Sequence, residues 1–114
     1  MILNPSDIVQ IPFPFSNLKS SKRRPVLLLT ELDTLGDFLA VAITSQPGHH
    51  DAISLKNDDL INGILPKQSW IRGTKLFSLN QEVAVANLGS LKIASFERIH
   101  REICMKIGCH QLQS

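Results

Sequence analysis

Cysteine is scarce in this chain of 114 residues, with Cys104 and Cys109 its sole representatives. Two thiols five positions apart supply neither a disulfide framework nor the four-ligand spacing of a zinc site, so both are expected to be reduced packing residues. Six glycines and six prolines are too few for a collagen-like or linker-like polymer. Long apolar runs are missing as well. The longest, residues 38–43, falls far short of the roughly 20 residues that cross a bilayer, so no membrane span or membrane partner is expected. The N-terminus has no cationic start ahead of an apolar stretch, its first lysine being Lys19, and the expected compartment is the cytoplasm. There is no Walker or dinucleotide glycine motif and no G-x-S-x-G elbow, which leaves nucleotide, hydride and triad-hydrolase chemistry without support.

What is present suffices for one domain. Apolar types make up 43% of the chain and charged types 19%, a composition that can bury a core. The net charge of +2 announces no nucleic-acid partner by itself, but its distribution is uneven. No acid lies between Asp7 and Glu31, while Lys19, Lys22, Arg23 and Arg24 fall within six positions and form an anion-attracting patch. The acids gather elsewhere, around Asp51, Asp58 and Asp59.

Periodicity predicts short strands followed by one helix. Residues 8–15 read as a strand whose Pro12 and Pro14 suit an edge or a strand end, and a basic loop follows. The apolar run Val26, Leu27, Leu28 and Leu29 predicts a strand buried on both faces with Pro25 at its first position. Residues 38–46 form the next strand, pairing with it as a hairpin, and 52–55 alternate as a half-exposed strand. Residues 57–66 have loop composition. Strand character returns over 69–79, where Gly73 marks a bulge because the apolar alternation changes phase between Ile71 and Leu76, and 83–86 make a last short strand. After Gly89, Ile93, Phe96, Ile99, Ile103 and Ile107 recur at three- and four-residue intervals up to Gly108, which predicts an amphipathic helix. Five or six strands and a C-terminal helix describe a mainly β fold, a small antiparallel barrel or curled sheet with the helix on one side.

A few residues could carry chemistry. Arg24 precedes a proline that biases it toward extended geometry, and its planar fork can grip a phosphate; read locally, it can equally be a solvated loop arginine. Thr44, Ser45 and Gln46 bring hydrogen-bonding groups to the end of an apolar strand, and Thr44 shares its face with the small residues Ala42 and Ala40, which can leave a concavity or simply meet a close-packed neighbour. Arg72 adds a strand cation beside Trp70, whose ring reads as packing rather than as a base platform. His49, His50 and Asp51 match no closed metal-ligand spacing.

Three segments taken together carry a resemblance: residues 12–18 (Pro-Phe-Pro-Phe-Ser-Asn-Leu), 22–29 (Lys-Arg-Arg-Pro-Val-Leu-Leu-Leu) and 42–46 (Ala-Ile-Thr-Ser-Gln). In order and spacing they resemble the PemK/MazF family of bacterial toxin ribonucleases, and residues 65–72, 75–79 and 96–99 extend the likeness over nearly the whole chain. The resemblance implies an SH3-like small barrel of the kind shared with CcdB toxins. It implies the toxin of a type II toxin–antitoxin pair, usually a homodimer, neutralised by an antitoxin, that cleaves single-stranded RNA, mRNA above all, without a metal or other cofactor. By the same likeness Arg24 and Thr44 are the catalytic pair, and Lys19, Lys22, Ser45, Gln46 and Arg72 serve substrate binding. Two positions depart from the family pattern. Thr74 stands where some relatives carry an aspartate, leaving the proton acceptor unassigned, and Ser6 replaces a common glycine, for which an altered turn is expected. A non-catalytic binder of the same fold, blocking a target such as gyrase or occupying RNA without cutting it, is the alternative.

Overall fold

A computed structural model describes residues 1–14 and 21–109. Seven strands, β1 (Asp7–Pro14), β2 (Ser21–Leu28), β3 (Asp37–Thr44), β4 (Ala52–Leu55), β5 (Leu60–Gly63), β6 (Ser69–Asn80) and β7 (Ala86–Leu91), precede one helix, α1 (Ile93–Ile107). They form a single sheet in the order β4-β6-β3-β2-β1-β7-β5, and every neighbouring pair is antiparallel. The sheet curls into a half-barrel whose edge strands, β4 and β5, do not pair with each other.

The run from Val26 to Leu29 explains why β2 lies at the centre. Strand alternation sends Leu27 and Leu29 into one core, with Ile8, Val41, Ile43, Ile53, Ile71 and the helix residues Ile99 and Ile103. Val26 and Leu28 enter the other, with Val9, Ile11, Phe38 and Ala40. A strand buried on both faces needs no polar alternation, and this one has none. The helix stripe is shorter than its periodicity suggests, since Ile93 and Ile107 at its ends are exposed while Ile99 and Ile103 are buried. Gly108 ends it in the left-handed conformation, its N–H donating to the carbonyls of Cys104 and Met105. Among the described residues no helix is long and apolar enough to cross a membrane.

Several elements depart from the sequence expectation. Lys22, Arg23 and Arg24 are not in a loop but on the first half of β2, opposite Phe13, Pro12 and Ile11. Pro12 and Pro14 are tolerated inside the sheet because β7 pairs β1 only from Asp7 to Gln10. The Gln10 carbonyl accepts from Val85 on that side, so the two prolines, of the same parity, turn their missing donors to the stretch β7 has already left. Residues 60–63, read as loop, pair with β7 as an edge strand, and the last strand lies later than expected, after a single 3-10 turn at Gln81–Val83. The bulge at Gly73 is present: Val41 faces Leu76 but Ile43 faces Ile71. Ser6 adopts φ 79°, and the N–H of Asp7 donates to the Asn4 carbonyl at 3.1 Å. With Pro5 ahead of it, Ser6 thus sits at the turn position that demands positive φ. The turn carries strain that a glycine would not.

Candidate active site

The site originates in one missing donor. β2 and β3 pair only where Val26, Leu27 and Leu28 face Ala42, Val41 and Ala40, and the N–H of Leu29 donates to the Leu39 carbonyl at 2.8 Å. Odd-numbered residues of β2 therefore turn their N–H groups toward β3. The next donor in that series would be Pro25, fifth in the strand rather than first as its sequence suggested, and it has none to give to Ile43. The ladder stops and the two strands part. Continued one step further, the same register sets Arg24 across from Thr44, on either lip of the opening. β6 contributes through its bulge, where residues 72–75 are accommodated opposite Ala42.

Two concavities meet at this opening. One, of about 260 Å³, is lined by Arg24, Ala42, Thr44, Gln46, Arg72, Lys75 and Phe77 among others. The second, of about 180 Å³, includes Gln10, Arg23, Ser45, Lys67 and Ser69. Arg24, Pro25, Ile43 and Thr44 line both. Each is smaller than the roughly 300–1,000 Å³ of a typical small-molecule cleft, and their junction suits an extended polymer better than an enclosed metabolite. Among the described residues, five cations, Arg23, Arg24, Lys67, Arg72 and Lys75, line the pair of hollows, and no carboxylate does. The favoured ligand is anionic.

Individual side chains are held in place. Thr44, half-buried, accepts the backbone N–H of Gln46 on Oγ1 at 3.0 Å, which fixes the hydroxyl and leaves its proton to donate outward. Arg72 donates from Nε to Oδ1 of Asp51 at 2.8 Å. Asp51 is 2% exposed, and its other oxygen accepts from Thr74, Oγ1 at 2.7 Å and N at 3.3 Å. Burial works against the charge of this carboxyl, yet the bonds from the Thr74 hydroxyl, Arg72 and the Thr74 amide prevail and hold it well below the usual carboxylate range. Among the described residues no three His, Cys, Asp or Glu side chains gather to hold a metal ion.

Residues 4–107 match the family described as PemK-like, MazF-like toxin of type II toxin–antitoxin system. The chain belongs to that family. Its fold is that of solved relatives at low identity. A MazE–MazF crystal structure from Deinococcus radiodurans shares 15% identity over 95% of this chain and 98% of the other, with a TM-score of 0.74. An endoribonuclease in complex with its cognate antitoxin from a mycobacterial species shares 13% over 91% and 93%, at 0.69. The Mycobacterium tuberculosis toxin MazF-mt6 shares 17% over 90% and 96%, at 0.67. No curated protein matches the chain by sequence.

In this PemK/MazF-like toxin, Arg24, Thr44, Gln46 and Arg72 line the first hollow and Ser45 the second. Lys22 is exposed on β2 and lines neither hollow, so it stands apart from the residues it was grouped with. Lys19 lies outside the described residues. Reasoning from sequence missed Lys67, Lys75, Phe77 and Asp51. Lys67 and Lys75 sit in segments whose likeness to the family was visible, and their cationic heads were the available signal. Asp51 had none, because its partners lie more than 20 residues away.

Proposed function

We propose that this toxin is an endoribonuclease that cuts single-stranded RNA without a metal ion, and that a cognate antitoxin restrains it. The observation that carries the reading is the apposition of Arg24 and Thr44 at the junction of two cation-lined hollows that no carboxylate lines among the described residues. The solved relatives bound to antitoxins support the partner. In the reaction the ribose 2′-oxygen attacks the adjacent phosphorus, the bond to the 5′-oxygen breaks, and the products are a 2′,3′-cyclic phosphate and a 5′-hydroxyl. Negative charge accumulates on the non-bridging oxygens on the way. The Arg24 guanidinium donates to those oxygens, and the Thr44 hydroxyl adds a donor whose direction Gln46 has already set. The requirement for a 2′-hydroxyl restricts cleavage to RNA.

Incubation with a long unstructured RNA in the presence of a chelator, followed by mapping of new 5′ ends, tests the reading. Thr44→Val is expected to slow cutting about 10- to 100-fold, the worth of one hydrogen bond to a charged group. RNA left intact while gyrase-dependent supercoiling is inhibited would instead favour the non-catalytic binder, which the absence of a lining carboxylate among the described residues makes the second reading. We further propose a homodimer, since two short hollows on one chain of 12.7 kDa hold little of an RNA strand. Light scattering should report about twice the chain mass at micromolar concentration; a monomer there refutes it.

A further inference from the structure

We propose that Asp51 is a positioning residue for this cleavage: it clamps the Arg72 guanidinium through Nε and thereby presents the terminal nitrogens of Arg72 to a phosphate in the first hollow. The inference rests on the ribonuclease reading and adds a residue to it. Asp51 lines neither hollow. It grips three consecutive bulge residues: Oδ1 takes Nε of Arg72, its main-chain carbonyl takes the N–H of Gly73 at 3.0 Å, and Oδ2 takes Thr74 twice. The bulge is the part of β6 with no fixed register against β3, and Arg72 is the last residue of β6 paired with β4, opposite Ala52, so Asp51 ties down the guanidinium where the ladder on one side gives out.

The division of the guanidinium is the informative detail. Nε is committed to a carboxylate that is almost fully buried, whereas the Arg72 side chain as a whole is 20% exposed and lines the hollow. Its two terminal nitrogens have no hydrogen-bond partner among the described residues. A fork held by its stem, with both tines toward an anion site, is pre-organised for bidentate phosphate contact. Stability alone explains the pair poorly, because a buried ion pair is often no better than well-packed apolar side chains of similar volume. Nor does Asp51 fit as the proton acceptor: both oxygens are engaged and it touches no space a substrate would fill.

The test is a double-mutant cycle in the full chain, read as single-turnover cleavage of RNA. Asp51→Asn and Arg72→Ala should each slow cleavage about tenfold or more, and the double variant should be no slower than Arg72→Ala alone, because Asp51 acts only through that guanidinium. Losses that multiply, or an Asp51→Asn variant of full activity, overturn the proposal. Should Asp51→Asn fail to fold, nuclear magnetic resonance of the wild-type chain decides. The Nε–H of Arg72 should be protected from solvent exchange, and the terminal N–H signals should shift on adding an oligonucleotide of the cleaved sequence with a 2′-deoxy sugar at the cut. Rapid Nε–H exchange, or unmoved terminal signals, refutes the clamp. A wild-type chain that leaves every RNA intact sinks the ribonuclease reading itself, and the positioning role falls with it.

Discussion

An Arg24→Ala variant is expected to lose about a thousandfold in the single-turnover rate of RNA cleavage, the upper range for removing a donor aimed at developing charge. Arg24 borders both hollows and sits beyond the last β2–β3 pair, so it lies where the two hollows meet without belonging to either core. Its removal should leave the far-ultraviolet circular dichroism unchanged. Arg24→Lys separates charge from geometry. A lysine restores the positive charge but not the planar fork, so it should recover only part of the rate, to within about 10- to 100-fold of wild type. Affinity for a non-cleavable oligonucleotide should fall far less than the rate, because four other cations line the groove and the lost interaction strengthens as the phosphate becomes pentacoordinate. Equal losses in binding and rate would mean that Arg24 only holds RNA.

The largest expected effect on stability lies at the other end of the sheet. Gly63 and Gly89 face each other where β5 meets β7. A Cβ on Gly89 would stand 2.3 Å from the Asn62 carbonyl oxygen and 3.0 Å from the Gly63 Cα, both backbone atoms, with φ at +144°. Neither neighbour can rotate away, so Gly89→Ala must push the edge strand off its partner, and a loss of about 3 kcal/mol is expected in urea unfolding. For a chain of this size that lowers the melting temperature by about 10 to 25 °C. Gly48→Ala is the matched control. Its φ of +90° is also positive, but no atom lies within 4 Å of the added Cβ, so only the backbone preference remains, about 1 kcal/mol. Similar losses at the two positions would show that dihedral preference, not the close approach of strands, makes Gly89 necessary.

These contrasts indicate how far the residues announced the fold. The continuous run at Val26 to Leu29 and the 3-4 spacing of Ile99 and Ile103 were legible because each reports burial of its own element. The bulge was legible through a local phase change at Gly73. Strand β5 was not, because four residues with an Asn-Gly end carry loop composition, and only pairing with a segment more than 20 residues later makes them a strand. Lys22, Arg23 and Arg24 looked like a loop for a related reason: charge is a surface signal, and Lys22 and Arg23 are exposed on β2. At the candidate site, Arg24 and Thr44 were visible through family likeness, while their apposition depends on a register that no single segment contains. Asp51 was invisible because a buried carboxylate is explained only by the cation and hydroxyl folded onto it.

Pro25 has a thermodynamic consequence of its own. A crevice formed by stretching an intact ladder would tend to zip shut whenever it emptied, and each arriving ligand would have to pry it apart again. Here the Pro25 nitrogen that faces Ile43 carries no proton, so closure recovers one ladder bond fewer and the empty crevice is drawn shut less strongly. The weaker that pull, the more association of an anionic strand depends on diffusion and on the attraction of the surrounding cations rather than on opening the crevice.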